Sequence, residues 1–571
     1  MDFMDKYDMW LNNDYFDKET KDELKEIKDN KKEIEDRFYT DLKFGTGGLR
    51  GKIGAGTNRI NKYTVSKATQ GLANFIKDYG ADYKKRGVVI AYDSRFKSKE
   101  FALTAAKVLA GNDITAYVFD DLRPTPELSF AVRHLNCAAG IVITASHNPP
   151  EYNGYKVYWE DGAQMVPRLA NKIIDKVDEI KDFSKINVMK KDEAKEKGLL
   201  NIIGSNIDDE YIKRVKALSI KDVNKDIKII YTPLHGTGNV SVTRVLDELG
   251  YSNVTVVKEQ EKPDPNFSTV EYPNPEDPKA FKLAKNLAKE NDADILLGTD
   301  PDCDRVGVVV KDNRGKYIVL NGNQTGALLL DYILSEKEEI PNNGVLIKTI
   351  VTSDLGRVIA DFYKVETIDT LTGFKFIGEK IKEFKKDNEK EFLFGYEESF
   401  GYLTGTFVRD KDAVIASMLI CEMADFYKEK GLSLYEALEN LYKKYGYYVE
   451  ELEAIRLEGI EGKNKIKKVM DTFRKEPIKN IGSLNIKIIN DYKESVSKDI
   501  INNETANITL PKSNVLKYEF EDGSWYALRP SGTEPKLKIY LSGNGESRDK
   551  ALKRVKEVKS EVLKRIENII N

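Results

Sequence analysis

Short runs of β-branched and aliphatic residues, each followed by a turn and an amphipathic stretch, recur along most of this 571-residue chain. Val88-Val-Ile-Ala-Tyr92 reads as a buried strand, with a helix near Lys99 to Ala110. Thr115-Ala-Tyr-Val-Phe119 and Ala139-Gly-Ile-Val-Ile-Thr144 read as the next strands. The alternation restarts at Ile227-Lys-Ile-Ile-Tyr231, runs through Val254-Thr-Val-Val257 and Ile295-Leu-Leu297, and restarts again at Val345-Leu-Ile-Lys-Thr-Ile350 and Phe392-Leu-Phe394. A strand that alternates with a helix pairs in parallel with its successor and needs cover on both faces, so these stretches predict α/β units. The first forty residues read as charged helices with Leu24, Ile27, Ile34 and Phe38 on a partial apolar stripe. The last 130 or so read as an antiparallel sheet, from Val515-Leu-Lys-Tyr-Glu-Phe520, Trp525-Tyr-Ala-Leu528 and Leu537-Lys-Ile-Tyr-Leu541. A closing helix carries Val555, Val558, Val562, Ile566 and Ile569 on one stripe. The pattern predicts three α/β units and one α+β unit, with boundaries near 210, 325 and 445.

Composition removes several classes of function. Ninety-one basic against 94 acidic residues give a formal charge of −3, which argues against nucleic-acid binding through bulk charge. Cys137, Cys303 and Cys421 lie far apart and form no C-x-x-C pair, so neither a disulfide framework nor a cysteine zinc site organises the fold. His134, His147 and His235 show no metal spacing. No apolar run approaches the roughly 18 residues of a membrane span, and the polar start Met1-Asp-Phe-Met-Asp-Lys is unlike a signal peptide. The expectation is a cytoplasmic protein with no membrane partner.

Four loops follow predicted strands, where open α/β sheets bind ligands. Thr144-Ala-Ser-His-Asn-Pro-Pro150 can project the Ser146 hydroxyl as a nucleophile or covalent phosphate carrier, or it can be an ordinary Ser-His-Asn turn. Neighbouring side chains usually point apart, so the adjacency of Ser146 and His147 does not imply a dyad. In Gly298-Thr-Asp-Pro-Asp-Cys-Asp-Arg305, three alternating carboxylates would repel one another without a cation, and hard oxygen ligands suit Mg²⁺. An EF-hand is excluded, because Arg305 and Lys311 stand where Gly and Glu are needed. A solvated turn remains open, as does the D-x-D-x-[TV] pattern of haloacid-dehalogenase-type phosphotransferases over Asp302-Cys-Asp304-Arg-Val306, whose first Asp is the nucleophile. Gly395-Tyr-Glu-Glu-Ser-Phe-Gly401 can grip sugar hydroxyls or be a plain turn. Arg529-Pro-Ser-Gly-Thr-Glu-Pro-Lys536 offers a guanidinium, hydroxyls and freed backbone amides to a phosphate. Gly45-Thr-Gly-Gly-Leu-Arg-Gly-Lys52 fails both the Walker A and the G-x-G-x-x-G patterns and reads as a basic, glycine-rich loop.

Together and in this order, Thr144-Ala-Ser-His-Asn-Pro, Asp300-Pro-Asp-Cys-Asp-Arg, Glu397-Glu-Ser-Phe-Gly and Arg529-Pro-Ser-Gly-Thr resemble the α-D-phosphohexomutase family, the phosphoglucomutases and phosphomannomutases. The resemblance runs from about Phe44 to Lys536. Phe44-Gly-Thr-Gly-Gly-Leu-Arg50 resembles the longer branch that also contains phosphopentomutases, and Tyr396 stands where many hexose enzymes carry Gly. The resemblance implies three similar α/β domains with mixed sheets and a C-terminal α+β domain, all around a central cleft: residues 1–210 with the phosphoserine loop, 211–325 with the metal loop, 326–445 with the sugar loop and 446–571 with the phosphate loop. It implies a phosphoserine at Ser146, with Arg50, His147, Lys156 and Arg305 as further catalytic residues, and Mg²⁺ held by Asp300, Asp302, Asp304 and the Ser146 phosphate. Gly373, Glu397, Ser399 and Lys411 would bind the sugar, and Arg529, Ser531, Gly532 and Thr533 the distal phosphate. The implied reaction interconverts glucose 1-phosphate and glucose 6-phosphate through glucose 1,6-bisphosphate, which also serves as activator. Mannose or pentose phosphates are the near alternatives and a metal-dependent sugar phosphatase a more distant one. The expected partners are small-molecule sugar phosphates, handled by a monomer or weak homodimer.

Overall fold

Four sheets follow one another along the chain in the computed structural model, which describes every residue except Met1, Thr46 and 532–534, and every side chain of those but that of Ile460. In the first sheet the strands lie in the order Gly48–Lys52, Tyr152–Trp159, Ala139–Ile143, Val88–Tyr92, Ala116–Phe119, Leu200–Ile203. The last four of these are parallel, and the first two are antiparallel additions. The second sheet is ordered Tyr317–Leu320, Val306–Lys311, Ile295–Thr299, Ile229–Thr232, Val254–Val256, again parallel at its centre with an antiparallel side. The third, Glu366–Thr370, Gly344–Thr349, Glu391–Glu397, Gly401–Leu403, repeats the scheme with one antiparallel strand. Helices cover these sheets, and the central strands Val88–Tyr92, Ala139–Ile143 and Ile295–Thr299 are buried along their whole length, as uninterrupted apolar runs require.

The fourth sheet is antiparallel throughout, from Tyr447–Arg456 and Lys536–Gly545 to Trp525–Pro530, Leu516–Phe520 and Leu484–Asp491. The helix Arg548–Ile570 buries Val555, Val558, Val562 and Ile566 against it, while Ile569 is only partly covered. At the N-terminus, three helices, Phe3–Asn12, Lys18–Glu26 and Lys31–Phe38, gather Trp10, Leu24, Ile34 and Phe38 into a small aromatic-rich core with Tyr63. Ile27 lies at its edge. Among the described residues no helix is long and apolar enough to cross a membrane.

One reading changes. The glycine-rich stretch before Ile53 is not a loop throughout, since Gly48–Lys52 pairs with Tyr152–Trp159 in antiparallel register, Arg50 facing Gly154. Glycines and charges hide such an edge strand from periodicity, because backbone pairing rather than an apolar face holds it.

The four singled-out loops share one geometry. Each joins a strand to its antiparallel neighbour: Ala139–Ile143 to Tyr152–Trp159, Ile295–Thr299 to Val306–Lys311, Glu391–Glu397 to Gly401–Leu403, and Trp525–Pro530 to Lys536–Gly545. In the three α/β units the loop therefore leaves the carboxyl end of a parallel strand, the end that faces ligands.

Candidate active site

A cleft of about 1210 Å³ runs between the units and is lined by Arg50, His147, Arg305, Gly373, Glu397 and Ser399 on one side and by Arg529, Ser531 and Lys538 on the other. Ser146 lies beneath its floor, 3% exposed. The residue has φ +52°, a left-handed conformation that costs a non-glycine residue roughly 1–2 kcal/mol. The Ser146 amide donates to Thr144 Oγ1 at 2.8 Å, and the following strand comes so close that any Cβ at Gly154 would sit 2.3 Å from the Thr144 carbonyl oxygen. This turn corrects the expectation about His147. With Ser146 left-handed, His147 Nδ1 lies 3.1 Å from Ser146 Oγ. Burial, and then the charges of Arg305 and Arg50, hold the imidazole well below its usual pKa, so it is neutral.

Ser146 Oγ donates to Asp300 Oδ2 at 2.6 Å, which couples the first unit's loop to the second unit's. Asp300, Asp302 and Asp304 are all buried, and one carboxylate oxygen from each lies within 4.8 Å of the others. The backbone amides of Asp304 and Arg305 satisfy Asp300 Oδ1 at 3.1 and 3.0 Å. Thr125 Oγ1 and Lys156 Nζ reach Asp302 Oδ2 at 2.8 and 2.6 Å. Lys156 and Lys411, from the first and third units, lie 3.5 and 3.0 Å from Asp304 Oδ2. Asp302 Oδ1 and Asp304 Oδ1 are buried and accept no hydrogen bond.

Charge follows the same pattern. Burial and the neighbouring Asp302 and Asp304 push the Asp300 carboxyl well above its usual range. Lys156, with bonds from Asp300 and Thr125, holds Asp302 below it against the burial penalty. Two buried oxygens that accept no hydrogen bond and a third carboxylate driven toward protonation form a donor set that a hard divalent cation would satisfy, so the group fits a metal.

Arg305 is paired with Glu276 across the cleft wall and lies 3.8 Å from Asp304 Oδ1. Glu397, 7% exposed, accepts the Gly373 amide at 2.7 Å; Gly373 has φ +117°, which a side chain would resist. Burial raises the Glu397 carboxyl pKa even with Lys411 nearby. Tyr396 turns the other way, into the core, where its ring stacks on Phe394 at 5.7 Å, so it does not shape the cleft. On the opposite wall Arg529 Nη1 donates to Tyr540 Oη at 3.4 Å, and the Ser531 amide donates to the Lys536 carbonyl at 2.7 Å. Gly532 and Thr533 lie outside the described residues.

The structure thus brings Ser146, His147, Lys156, Lys411 and the three aspartates together at the floor. Arg50 reaches the floor's rim, its Nη1 3.4 Å from Asn148 Oδ1. Sequence reasoning missed Thr125, Glu276 and Arg95. The last is nearly sealed from solvent and lies under the Ser146 loop. Its signal was available: Asp93-Ser-Arg95 leaves the carboxyl end of Val88–Tyr92, the strand beside Ala139–Ile143.

Known proteins share this succession of domains. Profiles of the phosphoglucomutase/phosphomannomutase α/β/α domains I, II and III match residues 41–183, 209–315 and 321–445, and that of the C-terminal domain matches 483–560. A phosphoglucomutase of Staphylococcus epidermidis is 40% identical over 540 residues, 95% of this chain and 96% of the relative. One from Staphylococcus aureus is 42% identical over 510 residues, 89% of this chain and 90% of its own. Among solved structures, Paramecium parafusin (phosphoglucomutase) in an open form superimposes with a TM-score of 0.68 at 18% identity, covering 93% of this chain and 95% of that one. A phosphoglucomutase/phosphomannomutase family protein of Burkholderia thailandensis gives 0.67 at 19% identity, covering 92% and 98%. At such identities these two likenesses speak to the fold.

Proposed function

The chain belongs to the phosphoglucomutase/phosphomannomutase family, and from that premise we propose that it is a phosphosugar mutase interconverting glucose 1-phosphate and glucose 6-phosphate. Ser146 carries the phosphoryl group, and glucose 1,6-bisphosphate is the intermediate and primes the enzyme. The observation that carries this reading is Ser146 Oγ at 2.6 Å from Asp300, inside a buried carboxylate cluster at the floor of a cleft. Asp300, Asp302 and Asp304 would hold Mg²⁺ with an oxygen of the Ser146 phosphate. Bound there, such an ion would supply charge withdrawal from the phosphate.

The chain's own residues do the rest. A sugar hydroxyl attacks the phosphorus in line with Ser146 Oγ, which leaves with its bonding electrons and takes up a proton as the attacking hydroxyl gives up its own. Lys156 and Lys411 keep positive charge beside the aspartates: burial opposes it, but Asp302 and Asp304 hold Lys156 above its usual pKa, and Asp304 and Asp410 do the same for Lys411. His147, neutral and 3.1 Å from Oγ, orients the carrier, and Arg50 and Arg305 receive the transferring phosphate at the floor. Glu397 and Ser399, with the Gly373 turn, bind sugar hydroxyls, while Arg529 and Ser531, with Gly532 and Thr533, take the phosphate that is not reacting. We assign 1–210, 211–325, 326–445 and 446–571 to the four domains, and expect a monomer or weak homodimer working in the cytoplasm.

A coupled assay over glucose, mannose, glucosamine and ribose phosphates tests the reading. Isomerisation of glucose 1-phosphate, stimulated by the bisphosphate, is the expected result. Release of inorganic phosphate in its place would make the protein a phosphatase, and a preference for another sugar would redirect the substrate.

A further inference from the structure

The loop that carries Ser146 makes few bonds of its own. Within it, the Asn148 amide donates to the Ala145 carbonyl and the Tyr152 amide to the Pro149 carbonyl, each at 3.1 Å. Four carbonyl groups around the loop, that of Pro149 among them, converge on one side chain. Arg95 Nη2 donates to the carbonyl oxygens of Ser146, at 2.5 Å, and Asn148; Nη1 donates to those of Pro149 and Tyr152 at 2.7 and 3.0 Å. The guanidinium is itself held. Asp93 Oδ2 lies 3.3 Å from its Nε, with both side chains fully buried. Asp93 Oδ1 accepts from the Arg95 amide at 3.0 Å and from Ser98 Oγ at 2.7 Å. The ring of Phe267, from the second unit, covers the guanidinium at 4.8 Å.

We propose that Arg95 is a positioning residue for phosphoryl transfer: its guanidinium holds the left-handed Ser146 turn so that Oγ meets the aspartate cluster. Arg95 touches neither the cleft nor the reacting atoms, and it acts through the backbone of the residues it gathers. The geometry explains the residue type. A planar fork delivers two parallel pairs of N–H groups in fixed directions, which a lysine ammonium cannot reproduce. It also explains the pairing with Asp93, since a buried guanidinium bonded only to carbonyls would keep an uncompensated charge. The inference rests on the reading of Ser146 as the carrier.

The test is a comparison of Arg95→Lys and Asp93→Asn with the wild type, measuring kcat and KM for glucose 1-phosphate and the rate at which added glucose 1,6-bisphosphate phosphorylates Ser146, followed by intact mass and peptide mapping. A carrier displaced by about an ångström loses roughly 100-fold in turnover. Arg95→Lys is therefore expected to lower kcat and the Ser146 phosphorylation rate by about that factor, with KM within roughly threefold of wild type, because Glu397, Ser399, Arg529 and Ser531, assigned to the sugar and the distal phosphate, lie on the third and fourth units, away from the loop that Arg95 holds. Asp93→Asn keeps the four carbonyl bonds and should lose roughly tenfold, again in kcat alone. A general loss of structure would move KM and kcat together and lower the melting temperature. If Arg95→Lys does not fold, Asp93→Asn decides the matter by the same split. Wild-type kcat in a folded variant, or an effect confined to KM, would overturn the inference alone. A wild-type phosphate found on a residue other than Ser146 would overturn the carrier reading and the inference with it.

Discussion

At the floor of the cleft, Ser146 and the three aspartates are buried, and bonds reach them from three units: Thr125, Lys156 and Ser146 from the first, the Arg305 amide from the second and Lys411 from the third. The far wall is different. Arg529, Ser531 and Lys538 sit on a single hairpin of the fourth sheet, facing the cleft. The fourth unit meets the third through Trp525 Nε1 to Asp354 Oδ2 at 3.0 Å, Ser353 Oγ to Glu450, an Arg548–Glu439 ion pair, and a buried apolar cluster in which Ile350, Val351 and Phe376 pack with Trp525 and Tyr540. The chain enters it through Gly446, at φ +96°. The floor draws its side chains from three units, whereas the phosphate-facing side chains of the far wall come from one hairpin. A fixed carrier that phosphorylates either end of a sugar needs this asymmetry. Its chemistry demands a rigid floor, while the idle phosphate must be held in two opposite substrate orientations by a cradle that reads phosphate and not the carbon bearing it.

The comparison breaks most severely at the carrier. Ser146→Ala is expected to lose at least about 10⁴-fold in kcat, as removal of a covalent nucleophile does, and to take up no phosphate from glucose 1,6-bisphosphate by mass spectrometry. Activity near wild type would move the carrier elsewhere, with a hydroxylamine-labile adduct on Asp302 as the sign of the dehalogenase-type alternative. Asp302→Asn should cost about 10²–10³-fold in kcat with little change in KM. Excess chelator on the wild type should mimic it, whereas unaffected turnover in both experiments would remove the metal from the floor.

Arg529→Ala sharpens the other side. Loss of a charge-assisted fork to phosphate is expected to raise KM about 10–100-fold for glucose 1-phosphate and glucose 6-phosphate alike, and to let more bisphosphate escape per turnover. An effect on only one monophosphate would contradict a shared cradle. The smallest effect lies at the junction of the third and fourth units. Burial, with Asp354 nearby, pushes the Glu450 carboxyl up to about 7 from its ordinary 4.5. The folded protein then binds a proton more readily than the unfolded chain, so this group's contribution to stability is present below pH 4.5 and is lost as pH rises through 7. Glu450→Gln should flatten that slope and raise the melting temperature at pH 8 by roughly 2–4 °C. An unchanged pH profile of melting would show that Glu450 does not titrate in this range.

The sequence made the rigid half of this picture readable and left its bracing hidden. Val88–Tyr92, Ala139–Ile143 and Ile295–Thr299 announce themselves because a strand buried on both faces must be an apolar run. The loops after two of them stood out through unusual chemistry, three alternating carboxylates above all. Gly48–Lys52 stayed hidden because an edge strand held by backbone pairing needs no apolar pattern. The approach of His147 to Ser146 depends on a positive φ that no residue type at that position requires. Glu276 pairs with a residue 29 positions away, and Arg95, though its counter-charge Asp93 is close in the chain, holds carbonyls that begin 51 residues away, so only the fold shows what they hold. Gly532 and Thr533, legible as a phosphate cradle, fall outside the described residues.

The central claim is that one fixed hydroxyl gives phosphate to one end of the sugar and takes it from the other. A single-turnover experiment tests it directly, using enzyme whose Ser146 carries an ¹⁸O-labelled phosphoryl group and unlabelled glucose 1-phosphate, with quenched products resolved by mass spectrometry. A fixed carrier predicts the labelled phosphoryl group on carbon 6 of the glucose 6-phosphate formed, and the substrate's own unlabelled phosphoryl group on Ser146. Label that stays on Ser146 while glucose 6-phosphate accumulates, or label released as inorganic phosphate, would contradict it.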